Sequence, residues 1–125
     1  MKGNQGFIVK TVVQSLVWVV VAISYVIGIF AVAFPKPVAN LFDRLGNTET
    51  ALVYHVRVYE RDPNLNNLAT VLQRSIESKN DTKTIKFGNK FFTYSETEID
   101  YFIGDNDKFL LFLYLGFVEA TERHG

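Results

Sequence analysis

Two histidines and no cysteine leave this chain of 125 residues little to do chemistry with. Without thiols there are no disulfides, thiolate metal sites or cysteine nucleophiles. His55 and His124 lack a second ligand at zinc spacing, and no His-Glu-x-x-His occurs. His55 is expected as a half-exposed structural or interfacial residue rather than a proton shuttle. Asp105 and Asp107 flank Asn106 and could offer oxygens to a hard cation, but Asp and Asn before an apolar run ordinarily cap a helix. Gly88, Gly104 and Gly116 stand alone, so no phosphate-cradling loop exists, and no Ser, His and Asp fit a local hydrolase signature. No catalytic, cofactor-binding or metal-binding residue is assigned from the sequence.

What the chain does declare is a solvent. From Thr11 to Phe34 there is no charged side chain. As a helix that run spans about 36 Å, against a hydrocarbon core of about 30 Å. Lys2 and Lys10 precede it and Pro35-Lys36-Pro37 closes it, since proline lacks a backbone donor and clashes with a continuing helix. Ala31-Val32-Ala33 offers a small-x-small cleavage site, but the apolar stretch outruns the 7–15 residues of a signal peptide, so a retained anchor is the expectation. Lys2 and Lys10 face Lys36 and Arg44 across the run, which leaves orientation undecided. Ser24 and Gly28 form a small-x-x-x-small pair, at which another helix could approach. Beyond Phe34 the charge is slightly acidic, which gives no electrostatic reason for nucleic acid as a partner. The lipid bilayer is the partner this composition names.

Beyond the run the signals are local. Asn40 to Leu45 reads as a short amphipathic turn ending at Gly46, and Ala51, Leu52, Val56 and Tyr59 recur near helical spacing. Tyr54, Val56 and Val58 also alternate with His55 and Arg57, so a strand stays open; a segment lying at the membrane interface fits equally. Asp62-Pro63 is expected to open a helix, with Leu65, Leu68, Ala69, Leu72 and Ile76 as its buried stripe and a stop near Ser78–Asn80. Asn80-Asp81-Thr82 is a glycosylation sequon, relevant only on a lumenal side. Thr84–Phe87 and Lys90–Thr93, joined by Gly88-Asn89, predict a β-hairpin with Ile85, Phe87 and Phe92 on one face. Thr93-x-x-Glu96 and Ser95-x-x-Glu98 both fit a capping box, before a helix that Gly104 ends. A last helix from Lys108 to Glu119 is apolar nearly all round, yet too short to span a bilayer. It is expected either as a core helix whose partners lie elsewhere or as a segment resting on the membrane. Glu122–Gly125 reads as a polar tail.

In that order, residues 51–118 resemble the opening of the fatty-acid transport proteins, membrane-anchored very-long-chain acyl-CoA synthetases of the adenylate-forming, AMP-binding superfamily. The resemblance lies in a membrane-spanning start, then Leu52-Val53-Tyr54-His55-Val56-Arg57-Val58-Tyr59, then a helix at Leu65–Ile76 and the hairpin at Thr84–Tyr94. Phe92-Thr93-Tyr94-Ser95-Glu96 matches the end of the family's hairpin, with Thr97 where the family has Leu; Asn106, Phe109 and Leu115-Gly116 echo its next motif. The family's adenylate-binding loop, catalytic acid and C-terminal lid have no counterpart. The resemblance therefore implies a truncated N-terminal piece, anchored in the endoplasmic reticulum or plasma membrane. Such a piece would have no activity of its own, ATP and coenzyme A being bound only by a full-length relative, while a fatty acid or another membrane protein could be a partner.

The expected fold is thus a membrane-anchored α+β chain. It comprises a tail over 1–10, a transmembrane helix over 11–34, a juxtamembrane amphipathic segment over 35–61, and over 62–125 a small, incomplete helix–hairpin–helix unit like the N-terminal region of an adenylate-forming domain. The rival reading is a small single-pass interaction protein with no enzymatic role. Leu45-Gly46, Ala51, Tyr54 and Pro63 resemble half a tetratricopeptide repeat, although a Gly88-Asn89 hairpin would not suit an all-helical array. A third reading is a secreted small domain, cleaved after Ala33.

Overall fold

The computed structural model describes residues 2–124, with side chains from Gly6 onward, and every regular element among them is a helix. The chain divides into two units, the first ending at Phe34 and the second beginning at Pro35. The first is a single helix, α1 (Lys2–Ala33), which takes in most of the expected tail; Met1 lies outside the described residues. Gly6–Ala33 is long and apolar enough to cross a membrane, with a mean hydropathy of 2.6. Its side chains from Phe7 to Phe30 are exposed, and the Thr11 hydroxyl donates to the Phe7 carbonyl 2.9 Å away, which satisfies that donor within the helix.

The second unit holds α2 (Pro35–Arg44), α3 (Thr48–Arg61), α4 (Leu65–Glu77), α5 (Asp81–Phe91), α6 (Glu96–Ile103) and α7 (Asp107–His124). Proline does both of its jobs at the junction. It stops α1 before Phe34 and, with a preset φ and no donor needed, starts α2 at Pro35. Short links make neighbours antiparallel: α2 packs on α3, α3 on α4, α4 on α5, and α7 returns against both α5 and α4. The pairs α2–α3, α4–α5 and α6–α7 begin at Pro35, Leu65 and Glu96, roughly 30 residues apart, the scale on which stacked helical hairpins repeat.

The α+β expectation is corrected. Thr84–Thr93 is not a hairpin: α5 runs continuously through Gly88-Asn89, and no strand occurs among the described residues. Thr84, Phe87, Gly88 and Phe91 are buried at helical spacing, so Ile85, Phe87 and Phe92 do not share one covered face. Gly88 is needed for its missing side chain, not for a positive φ. A Cβ there would lie 2.1 Å from Cδ2 of Phe117. Gly116 does the same on the other side of α7, where a Cβ would meet Ile76 at 2.6 Å. Two glycines therefore let α7 settle onto α5 and α4 at close range.

The core joins Leu52 of α3, Leu68, Ala69, Val71 and Leu72 of α4, Phe87 and Phe91 of α5, Ile99 and Ile103 of α6, and Leu113 of α7. The apolar stripe expected on 65–76 is its centre. The caps are partly as expected. Ser95 and Glu98 form the capping box of α6, whereas the Thr93 hydroxyl donates backward to the Asn89 and Lys90 carbonyls. Gly104 takes φ +60° and ends α6 as anticipated. Asp62-Pro63 does not open α4. Asp62 instead closes α3, and Asn64 caps α4 by accepting from the Asn67 amide at 2.7 Å. The competing cap lies one residue past the proline and leaves Pro63 in the link. The expected polar tail continues α7 to His124, with Gly125 outside the described residues.

Two substitutions test the α5 geometry by chemical denaturation. Gly88→Ala drives a methyl into the Phe117 ring; overpacking of about 1–3 kcal/mol outweighs the gain of about 1 kcal/mol in helix propensity, and the protein is less stable. Asn89→Ala, at an exposed helix position, is neutral or slightly stabilising. In a Gly-Asn turn Asn89→Ala would destabilise, so that result refutes the helix.

Candidate functional site

The most developed polar cluster lies where α2, α3 and α4 meet. Asp43, in the last turn of α2, receives Nε of Arg74 on Oδ1 at 2.8 Å and pairs through Oδ2 with Nε2 of His55, also at 2.8 Å. The guanidinium reaches back to Oδ2 at 3.3 Å and along α4 to Glu77. His55 is 7% exposed, so the sequence expectation of a half-exposed ring is corrected: Asp43 supplies the partner that lets it be buried. Partial burial pushes the Asp43 carboxyl upward, but the hydrogen bonds from Arg74 and then His55 outweigh it and hold the group below its ordinary value.

A histidine oriented by an aspartate is two members of a hydrolytic triad, without its nucleophile. No serine or threonine hydroxyl among the described residues hydrogen-bonds to His55. The cluster ties three helices together. None of it was legible locally, because Asp43 stands 12 residues from His55 and 31 from Arg74.

A second polar cluster joins α5 to the end of α7. Asp81 opens α5 and takes a two-point contact from Arg123 at 2.7 and 2.8 Å, with Nε2 of His124 at 3.2 Å. The Arg123 hydrogen bonds hold the Asp81 carboxyl below its usual range. Asn80 of the sequon caps α5, accepting from the Lys83 amide at 3.1 Å. Of the Asp105-Asn106-Asp107 run, Asn106 accepts from the Phe109 amide and Asp107 begins α7, so these residues serve as helix starters. No group of three or more His, Asp or Glu able to hold a metal ion is found among the described residues.

What remains is apolar. α7 buries Leu113, Gly116 and Ala120 but leaves Leu111, Phe112, Tyr114 and Leu115 exposed, Leu111 at 55%. Tyr101 of α6 is 92% exposed. An open cleft of ≈ 590 Å³ runs between α6 and α7 over Phe92, Ile99, Leu110, Leu111 and Tyr114, edged by Glu96, Asp100 and Asp107. A second, of ≈ 750 Å³, lies across α6 against Leu65, Tyr94, Tyr101 and Phe102. α6 touches α7 over only a short stretch, which keeps the first cleft wide. The helix that was expected either in a core with partners elsewhere or on the membrane surface is α7, which packs one side on α5 and α4 and leaves these apolar side chains exposed.

No protein-family model matches the chain, and neither a curated protein nor a solved structure matches it. The hairpin that anchored the resemblance to the acyl-CoA synthetases has no counterpart among the described residues; Thr84–Phe91 lies in α5.

The Asp43 cluster fixes a pH response. Because the folded carboxyl titrates below the ordinary 3.8, its contribution to stability is fully present above that value and is lost as pH falls from there through the lower folded value. Acid titration of the wild type, followed by circular dichroism, shows a loss of stability setting in below about pH 4. Asp43→Asn is less stable at neutral pH by about 1–3 kcal/mol, because Arg74 and His55 lose their charged partner, and its acid-induced loss is smaller.

Proposed function

We propose that this chain is a single-pass membrane-anchored interaction protein without an enzymatic role. Its helical unit presents a partner-binding surface beside the bilayer, and α1 holds it there. The single observation that carries the reading is the exposed apolar surface of α6 and α7, beside a core that is otherwise closed. Contiguous apolar patches of this kind mark sites of protein or membrane contact. The absence of strands among the described residues removes the objection that a hairpin raised against an array of helical pairs.

The fatty-acid transport reading now rests on the order of its remaining motifs. Both readings share the anchor and the lack of an adenylate-binding loop.

Alkaline carbonate treatment of membranes carrying the full chain leaves it in the pellet, as a spanning α1 requires. Release into the supernatant would overturn the anchored reading. Purified in detergent with palmitate, ATP and coenzyme A, the chain forms no acyl-CoA and consumes no ATP; turnover of either kind would overturn the non-enzymatic one.

A further inference from the structure

The cleft between α6 and α7 has a sign as well as a shape. Its floor is Phe92, Leu110, Leu111 and Tyr114, and its rim carries Glu96, Asp100 and Asp107 with no cation among the lining residues. Glu98 and Asp105, both exposed, add to the same end of the unit, where Lys108 is the one basic residue in the segment 92–111. None of Glu96, Asp100 and Asp107 is engaged in an ion pair. The side-chain charge at the cleft is therefore negative and without a salt-bridge partner.

From that pairing of apolar floor and acidic rim we infer that the α6–α7 cleft receives a basic amphipathic helix of another protein, its apolar stripe on Leu111 and Tyr114 and its Lys or Arg side chains on Asp100 and Asp107. The inference rests on the interaction reading above and names the partner's chemistry. A helix is the form that fits. Two helices that diverge leave a groove which the ridges of a third can fill, and no sheet edge among the described residues could add a strand. Charge decides between occupants. An anionic lipid surface would be repelled by the rim. A second copy docked through this face would set one acidic rim against another, which costs affinity.

The test uses the full chain in nanodiscs of zwitterionic lipid and two fluorescent 18-residue model helices, each with one leucine stripe, the polar face lysine in one and glutamate in the other. Fluorescence anisotropy shows the lysine helix binding at least about tenfold more tightly than the glutamate helix, with the difference shrinking as salt rises. Leu111→Asp weakens binding by about tenfold or more, and so does Asp100→Lys with Asp107→Asn, the asparagine removing the charge while suiting the start of α7. These positions are exposed, so circular dichroism is unchanged in each. Glu119→Lys with Glu122→Lys, farther along α7, leaves binding as it was. Equal binding of the two helices, no binding of either, or binding that survives both cleft variants overturns the inference. A chain that stays in the carbonate pellet and still ignores the lysine helix rejects this cleft while the anchored reading stands; a chain that carbonate releases rejects the reading beneath it.

Discussion

Helix α7 can reach the rest of the unit because two positions on the contact carry no side chain. At Gly88 the Phe117 ring fills the space a Cβ would take, and at Gly116 the branched end of Ile76 does so. Close approach brings Leu113 into full burial and lets Phe92 meet both Tyr114 and Phe117 at ring separations of 5.8 and 5.3 Å. Without that seat α7 would stand off from α4 and α5, and the core that runs from Leu52 to Leu113 would lose one wall. The α6–α7 cleft exists only because one side of α7 is pinned this tightly while α6 touches it briefly.

Polar contacts add further ties between the helices. Asp43, His55 and Arg74 join α2, α3 and α4, and Asp81 with Arg123 joins the start of α5 to the end of α7. Each carboxylate is held between two bases, which is how a partly buried acid avoids the cost of an unpaired charge. Exposed pairs such as Asp81 with Arg123 add little stability, so their main effect is on register: they fix where α7 ends along α5. The histidines are spent on positioning, and the remaining acidic residues either start helices or stand on the surface.

The result is a division between a helix long and apolar enough to cross a membrane and a helical unit whose last pair is left partly uncovered. Pairs of helices spaced by roughly 30 residues normally bury their outer face on the next pair. Here α6–α7 is the last pair among the described residues, and its outer face is apolar where a terminal pair is ordinarily polar. That mismatch is the observation on which the proposed interaction surface rests.

Several elements were readable from composition and period alone. The uncharged run of α1, the stripe from Leu65 to Ile76, the Ser95–Glu98 box and the stop at Gly104 each depend on residues within a few positions of one another, and local physics settles them. Gly88-Asn89 was ambiguous for a reason that no local reading removes. Glycine is used both where φ must be positive and where a side chain would collide, and only the presence of Phe117 opposite shows which applies. The partnership of Asp43 with His55 and Arg74 was hidden in the same way, across separations that only the packing of three helices could close. The sequence by itself determined that one helix is long and apolar enough to cross a membrane and that no thiol chemistry is available. The tertiary structure decided that the rest is helical, which carboxylates are paired, and where apolar surface meets acidic side chains without a salt-bridge partner, because each of these depends on contacts between residues distant along the chain.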